Sequence, residues 1–428
     1  MLRKRVAVLL GVTFALACAE PGPERRVECD ADNGGLTLAP GFCAVVVADN
    51  LGRIRHLAVS ANGDVYARLR MPADSGGIVA LRDTTGDGRA DVVQRFLSGS
   101  GSGIGIRGPW LYYTTDAEIH RIALPTDGAL VPTGAPELIV SGFPDQRRHS
   151  PKPIAFDDSN GLYVTVGAPT NACQPVAQDN QHGVPGQNPC PELPLQGGVW
   201  KFDAERTGQM QGTDGEAYAL GVRNAMAIAW HSGVNGLYIV QHGRDILDQI
   251  APDHFTAEEN ATKPGELLYR LSAGDTLMHP YCFWDLDQER AVVMPEYGGD
   301  GEMVGDCGGY PAPLAAYPAH WAPNGLHFYT GTLFPERFRG GAFIAFHGSW
   351  NRAPLPMAGY RIVFQPMTNG APSGEFETFA DNFAGAPSIA SIAEAAYRPV
   401  GVTEGPDGSL YVSDDVKGRI WRIVPAAQ

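Results

Sequence analysis

Two polar stations stand out at the edges of apolar runs. One is His149 in RRHSPKPIAF (147–156), the other the Arg223–Asn224 pair in GVRNAM (221–226). A histidine can take a proton near neutral pH. An arginine can hold a carboxylate or steady an oxyanion as it forms. Taken singly, His149 reads as a loop histidine with a structural hydrogen bond, and Arg223–Asn224 as the cap of a strand. Placed ahead of the inner strands of successive repeats, they would instead meet at one mouth of a channel, where propeller ligands gather.

Two further motifs carry less. GIGIRG (103–108) matches a dinucleotide fingerprint, but PWLYYTT follows it, a strand where the phosphate-binding helix should be, so a nicotinamide site is rejected. DTTGDGRAD (83–91) sets Asp83, Thr85, Asp87 and Asp91 at calcium-loop spacing, with Thr85 at the third position and Gln94 at the twelfth. It reads equally as a structural turn or as a second calcium site.

The elements that must position these groups are repeated hairpins. HLAVSANGDVYAR (56–68), IGIRGPWLYYTT (104–115), PIAFDDSNGLYVTVG (153–167), AIAWHSGVNGLYIVQHG (227–243), APNGLHFYTG (322–331) and GVTEGPDGSLYVSDD (401–415) share one plan. Each complete copy has an alternating apolar strand, a Gly/Asn/Asp turn and an aromatic-containing strand. Six copies predict an all-β, six-bladed β-propeller over 36–428, with 244–320 as a decorated blade or a loop over one face. GRIWRIV (418–424) reads as a strand that closes the ring with the N-terminal part.

Composition agrees: Gly 53 and Pro 34 in 428 residues, with 18% charged, favour short strands and tight turns over long helices. A formal charge of −15 without a long basic run excludes nucleic acid and anionic membrane as partners and points to a small ligand.

The opening MLRKRVAVLLGVTFALAC reads as an export signal over 1–18. Either Cys18 is a lipidated anchor followed by a tether over 19–35, or the signal is an ordinary one and Cys18 is incidental. Setting Cys18 aside leaves six cysteines, and closeness in sequence favours the pairs 29–43, 173–190 and 282–307 in an oxidising compartment. The absence of C-x-x-C and C-x-x-C-H leaves zinc and covalent haem without support.

Several segments together resemble a known family: HSPKPIAFDDSNGLYVTVGAPTNACQ, DGEAYALGVRNAMAIAWH, VQHGRD, PEYGGDGEMVG, PAHWAPNGLHFYTG, GGAFIAFHGSWNRAP and RPVGVTEGPDGSLYVSDDVKGRIWRI. From about residue 36 onward the chain is similar to the sorbosone dehydrogenase-like family of pyrroloquinoline quinone (PQQ) dependent sugar dehydrogenases, and more distantly to the soluble quinoprotein glucose dehydrogenases.

The resemblance implies PQQ and calcium as cofactors and a sugar, sugar aldehyde or sugar alcohol as substrate. It makes His149, 18 residues before Gly167, the base, and has Arg223 and Asn224 contact the quinone. Backbone carbonyls of Gly243 and Arg244 would hold calcium. Arg398 would bind a PQQ carboxylate, Trp321 would border the cofactor, and Arg352 and Lys152 would add positive charge. Arg148 and Ala396 depart from the family pattern, as does MHP (278–280), which leaves the sugar unspecified. The sequence leaves the natural electron acceptor unnamed, a periplasmic redox carrier being one candidate.

Two other functions fit the same fold. A propeller lactonase would hold a metal with Asn224, Glu404 and Asp414. A tethered, non-catalytic binding propeller would need none of this chemistry.

Overall fold

The computed structural model describes residues 27–71 and 76–426, so the export signal and Cys18 lie outside the described residues. Six mainly antiparallel sheets follow one another around an axis, a six-bladed β-propeller, two of them with a short parallel strand at the outer edge. Their innermost strands are Ile54–Val59, Ile104–Arg107, Ile154–Phe156, Ala227–His231, Pro323–Phe328 and Pro399–Glu404.

The second strands explain the apolar runs of the sequence. Gly161–Val166, Gly236–Gln241, Ala342–Phe346 and Leu410–Asp414 are buried along their whole length, because each lies in a sheet covered by a neighbouring blade on both faces. The core is accordingly a series of layers between blades. Tyr163 and Val199 of the third blade, for example, pack on Leu237 and Ile239 of the fourth. Tyr238 and Val240, on the other face of that strand, pack with Phe328 and Ile344 of the fifth.

The ring closes as GRIWRIV predicts: Phe42–Ala48 pairs antiparallel with Ile420–Pro425 as the outer strand of the last blade. In the fifth repeat the Asn-Gly is not a turn. Asn324 and Gly325 lie inside the inner strand, whose partner Ala342–Phe346 comes from beyond the quoted segment. A Cβ on Gly325 would stand 2.3 Å from the Val400 carbonyl, so glycine is required there by close approach between blades.

Residues 244–320 form a decorated blade. Glu266–Leu271 and Ala315–Tyr317 are strands of the fourth sheet, while Cys282–Asp285 and Arg290–Val293 make a separate hairpin. The segment also sends Asp275–Thr276 to the outer edge of the third blade.

All three expected disulfides are present: Cys29–Cys43, Cys173–Cys190 and Cys282–Cys307. They suit an oxidising compartment outside the cytoplasm. Among the described residues no helix is long and apolar enough to cross a membrane. In the acidic loop, Asp83 accepts the amides of Thr85, Gly86 and Gly88, and Asp91 those of Thr84 and Thr85. These bonds close the loop on itself.

Beside the 173–190 disulfide, Glu192 is 6% exposed and one of its oxygens has no hydrogen-bond partner. Burial pushes its carboxyl up to about 7, against the hydroxyl bond from Thr170. The folded state therefore binds this proton more tightly than the unfolded chain does. The group's stabilising contribution is complete below its ordinary value of 4.5 and is lost as pH rises through about 7. Glu192→Gln should remove that dependence, so its stability relative to wild type should rise by about 1–2 kcal/mol across the window. Urea unfolding of both proteins at several pH values checks this, and an unchanging difference would refute it.

Candidate active site

In each antiparallel inner pair, the residue before the first strand lies beside the residue after the second. Ala227 stands opposite Val240, Pro323 opposite Phe346 and Pro399 opposite Asp414. Each blade thus presents two segments to the same rim. Those segments line a cleft of about 330 Å³ that includes His149, Arg223, Asn224, Gly243 and Arg398. Five positions expected from the sequence are brought together, with Arg55, Asp245, Glu266, His320, His347, Trp350 and Asn351 added from several blades.

His149 is oriented by one bond. Its Nδ1 lies 2.7 Å from the Ala168 carbonyl, which can only accept, so Nδ1 carries the hydrogen and Nε2 keeps its lone pair. Burial and then the charge of Arg223 hold its pKa down to about 3, and the ring is neutral at physiological pH. His242 and His347 are likewise held down to about 4, burial being the main cause in both.

Arg223 is fixed on every side. Nη2 meets Asp245 at 2.7 Å, Nη1 donates to the Gly243 carbonyl at 2.8 Å, and Nε donates to Asn171 Oδ1 at 3.0 Å. Asp245 also accepts from Asn351 Nδ2 at 2.7 Å. Burial opposes its ionisation, but Arg223 and His320 outweigh that and hold its carboxyl far below the usual range. On the other wall Asp415 binds Arg55 at 2.6 Å and His347 at 2.8 Å. Arg398 donates to the carbonyls of His347 and Gly348 and pairs with no carboxylate among the described residues, so its positive charge remains available to an anion.

The residues fit an anionic cofactor with a hard cation. Arg55, Arg223 and Arg398 supply positive charge. Arg55 Nε, Asn324 Oδ1 and Asn351 Oδ1 are buried without a hydrogen-bond partner, and such atoms in a cleft await a ligand or water. Glu266 accepts the amides of Gly243 and Ala322 and pairs with no arginine or lysine among the described residues. Burial pushes its carboxyl up to about 7. Glu266, the asparagine oxygens and the Gly243 carbonyl, which also accepts from Arg223 Nη1, are donors of the type calcium takes.

Four expected side chains do not line the cleft, and packing explains each. The Arg244 guanidinium is wholly buried in an ion pair with Glu296 at 2.7 Å, a pairing that leaves the expectation for its backbone carbonyl untouched. Lys152 is fully buried, and its Nζ donates to the Ser150 carbonyl. The Trp321 ring lies edge-on to Phe346 and Phe376, with the Arg361 guanidinium over it, and Trp350 takes the place at the cleft. Arg352 folds back to the Pro356 carbonyl at 2.9 Å.

The lactonase set does not assemble either. Glu404 ends its inner strand at the opposite rim, bound to His327 and to the Thr330 amide. Asp414 accepts the amides of Arg398, Val416, Lys417 and Gly418.

A protein-family model described as TrAA12-like matches residues 36–426. An uncharacterized protein of Borreliella burgdorferi is 29% identical over 210 residues, 49% of this chain and 48% of that protein, so the chain spans about half the length of the curated relative it matches. Among solved structures, the holo form of the pyranose dehydrogenase PQQ domain from Coprinopsis cinerea is 18% identical with TM-score 0.70, covering 94% of this chain and 99% of that one. The calcium structure of the Trichoderma reesei carbohydrate-active enzyme of family AA12 is 17% identical with TM-score 0.73, covering 95% and 100%. The PQQ-bound aldose sugar dehydrogenase of Streptomyces coelicolor is 17% identical with TM-score 0.53, covering 91% and 99%. At these identities the structures establish the shared fold.

Proposed function

The chain belongs to the TrAA12-like family, and from that premise we propose that it is a PQQ- and calcium-dependent oxidoreductase that oxidises a sugar, sugar aldehyde or sugar alcohol. One observation carries the reading: three arginines from different blades converge with a neutral, singly oriented histidine on one rim. Arg398, Arg55 and Arg223 would hold the cofactor carboxylates, and the Gly243 carbonyl with neighbouring oxygens would hold calcium. Bound there, the quinone would supply the two-electron acceptor that no side chain provides.

The chain's own residues do the rest. His149 Nε2 takes the proton of the sugar hydroxyl. Arg223, locked by Asp245 and Asn171, presents a fixed positive charge where negative charge develops. The sorbosone dehydrogenase-like motifs favour a sugar aldehyde or its lactol as substrate. Export, anchoring through Cys18 and electron delivery to a periplasmic carrier complete the proposal.

Adding PQQ and calcium to the purified protein, with a screen of aldoses, sugar alcohols and osones against an artificial electron acceptor, tests it. Arg398→Met should weaken PQQ binding at least about 10-fold at unchanged thermal stability. Failure of the wild type to bind PQQ would refute the assignment, whereas equal binding by the variant would remove Arg398 from the site.

A further inference from the structure

The backbone around His149 is held in an unusual shape. His149 has φ 49°, the left-handed region that a residue with a Cβ seldom adopts. A Cβ on Gly167 would stand 2.5 Å from the Cβ of His149, so the two segments touch at a place where only glycine fits. The ring's own bond to Ala168 depends on that contact being kept, because Ala168 directly follows Gly167.

One side chain gathers this arrangement. Gln146 Nε2 donates to the carbonyls of Arg148 at 2.8 Å, His149 at 3.0 Å and Gly167 at 2.9 Å. Its Oε1 accepts from Gln196 Nε2 at 2.8 Å. The three carbonyls, which can only accept, fix which end of the amide faces them, and Gln196 holds the other end. Three backbone dipoles that would otherwise repel one another thus point at a single NH₂ group, which ties the His149 loop to the end of the second strand of the third blade.

We propose that Gln146, braced by Gln196, is a positioning residue that sets the tautomer and direction of His149. Without the amide clamp, the left-handed turn relaxes, the Nδ1 bond to Ala168 loosens, and the imidazole samples both tautomers. The proposal rests on His149 being the base, but the state of the ring can be read without turnover.

The test uses full-length protein and three variants. Gln146→Glu keeps the shape and removes the donor, Gln146→Ala removes the side chain, and Gln196→Ala removes the bond that braces the far end of the amide while leaving Gln146 in place. In cofactor-free protein labelled with ¹⁵N-histidine, wild-type His149 should give the pattern of a single Nδ1–H tautomer down to low pH. Each variant should show a tautomer mixture that titrates closer to the ordinary histidine value. In PQQ-loaded enzyme, kcat should fall about 10- to 100-fold with KM changed less than about 2-fold. Folded variants that keep the wild-type imidazole signals overturn the proposal, even if their turnover falls. A wild type without quinone-dependent turnover would sink the proposed function instead, and the ¹⁵N shifts would still decide the role of Gln146.

Discussion

His149→Ala is expected to lower turnover about 10²- to 10⁴-fold while PQQ and calcium remain bound with near wild-type affinity. The asymmetry follows from what His149 touches. Its Nδ1 is committed to the Ala168 carbonyl, so it can serve the reaction only through Nε2, and as a neutral ring it adds no charge to hold a carboxylate. Arg223→Ala should behave differently. It removes a cation from the cofactor site and leaves Asp245 facing the cleft without its arginine, so affinity and turnover should both fall. Substrate-driven bleaching of bound quinone, followed by absorbance in a single turnover, separates the two variants. A wild-type rate of quinone reduction in His149→Ala across the pH range would remove the base from the mechanism.

The largest effect on stability is expected at a pair outside the cleft. Arg244 and Glu296 form two bonds, at 2.7 and 3.0 Å, and both side chains are shielded from solvent. Glu296→Ala would leave the guanidinium buried without its counter-charge, which costs about 3–5 kcal/mol. Replacing both members, as Arg244→Met with Glu296→Leu, should recover most of that loss, because two apolar side chains carry no desolvation penalty. Denaturant unfolding of the single and double variants reads the difference. A double variant no better than Glu296→Ala would mean that the pair contributes through packing and not through charge.

The fold was legible because each blade repeats a local signal. Alternation, buried aromatic strands and the Asn-Gly or Asp-Gly turns at Gly63, Asn235 and Gly408, all with positive φ, are properties of neighbouring residues. The exception, Asn324-Gly325, looks like a turn locally and is a strand because of Val400, far away in the chain.

The site was legible by rim and not by direction. His149, Arg223, Asn224, Gly243 and Arg398 were found because they flank strands, and the antiparallel pairing carries such positions to one face. Whether a flanking side chain turns inward depends on partners that only the fold supplies. Glu296 draws the Arg244 side chain away, Phe346 and Phe376 hold Trp321, and Asp415 pairs with the cleft residues Arg55 and His347. Asp245 was the recoverable omission, since it lies in the same VQHGRD segment as Gly243.

Among the described residues, strand Phe42–Ala48 finds its ladder partner in Ile420–Pro425. During synthesis the first of these emerges early, with loop contacts to Asp30, Asn33 and Ala90 but no strand to pair with until nearly the whole chain has been made. Such a wait exposes an apolar ribbon to aggregation and makes the last folding step one of very high contact order. Circular permutation shows the same point from the other side: joining the two strands by a short loop and opening the chain between blades would turn the slowest closure into a local hairpin, with faster refolding at an unchanged architecture.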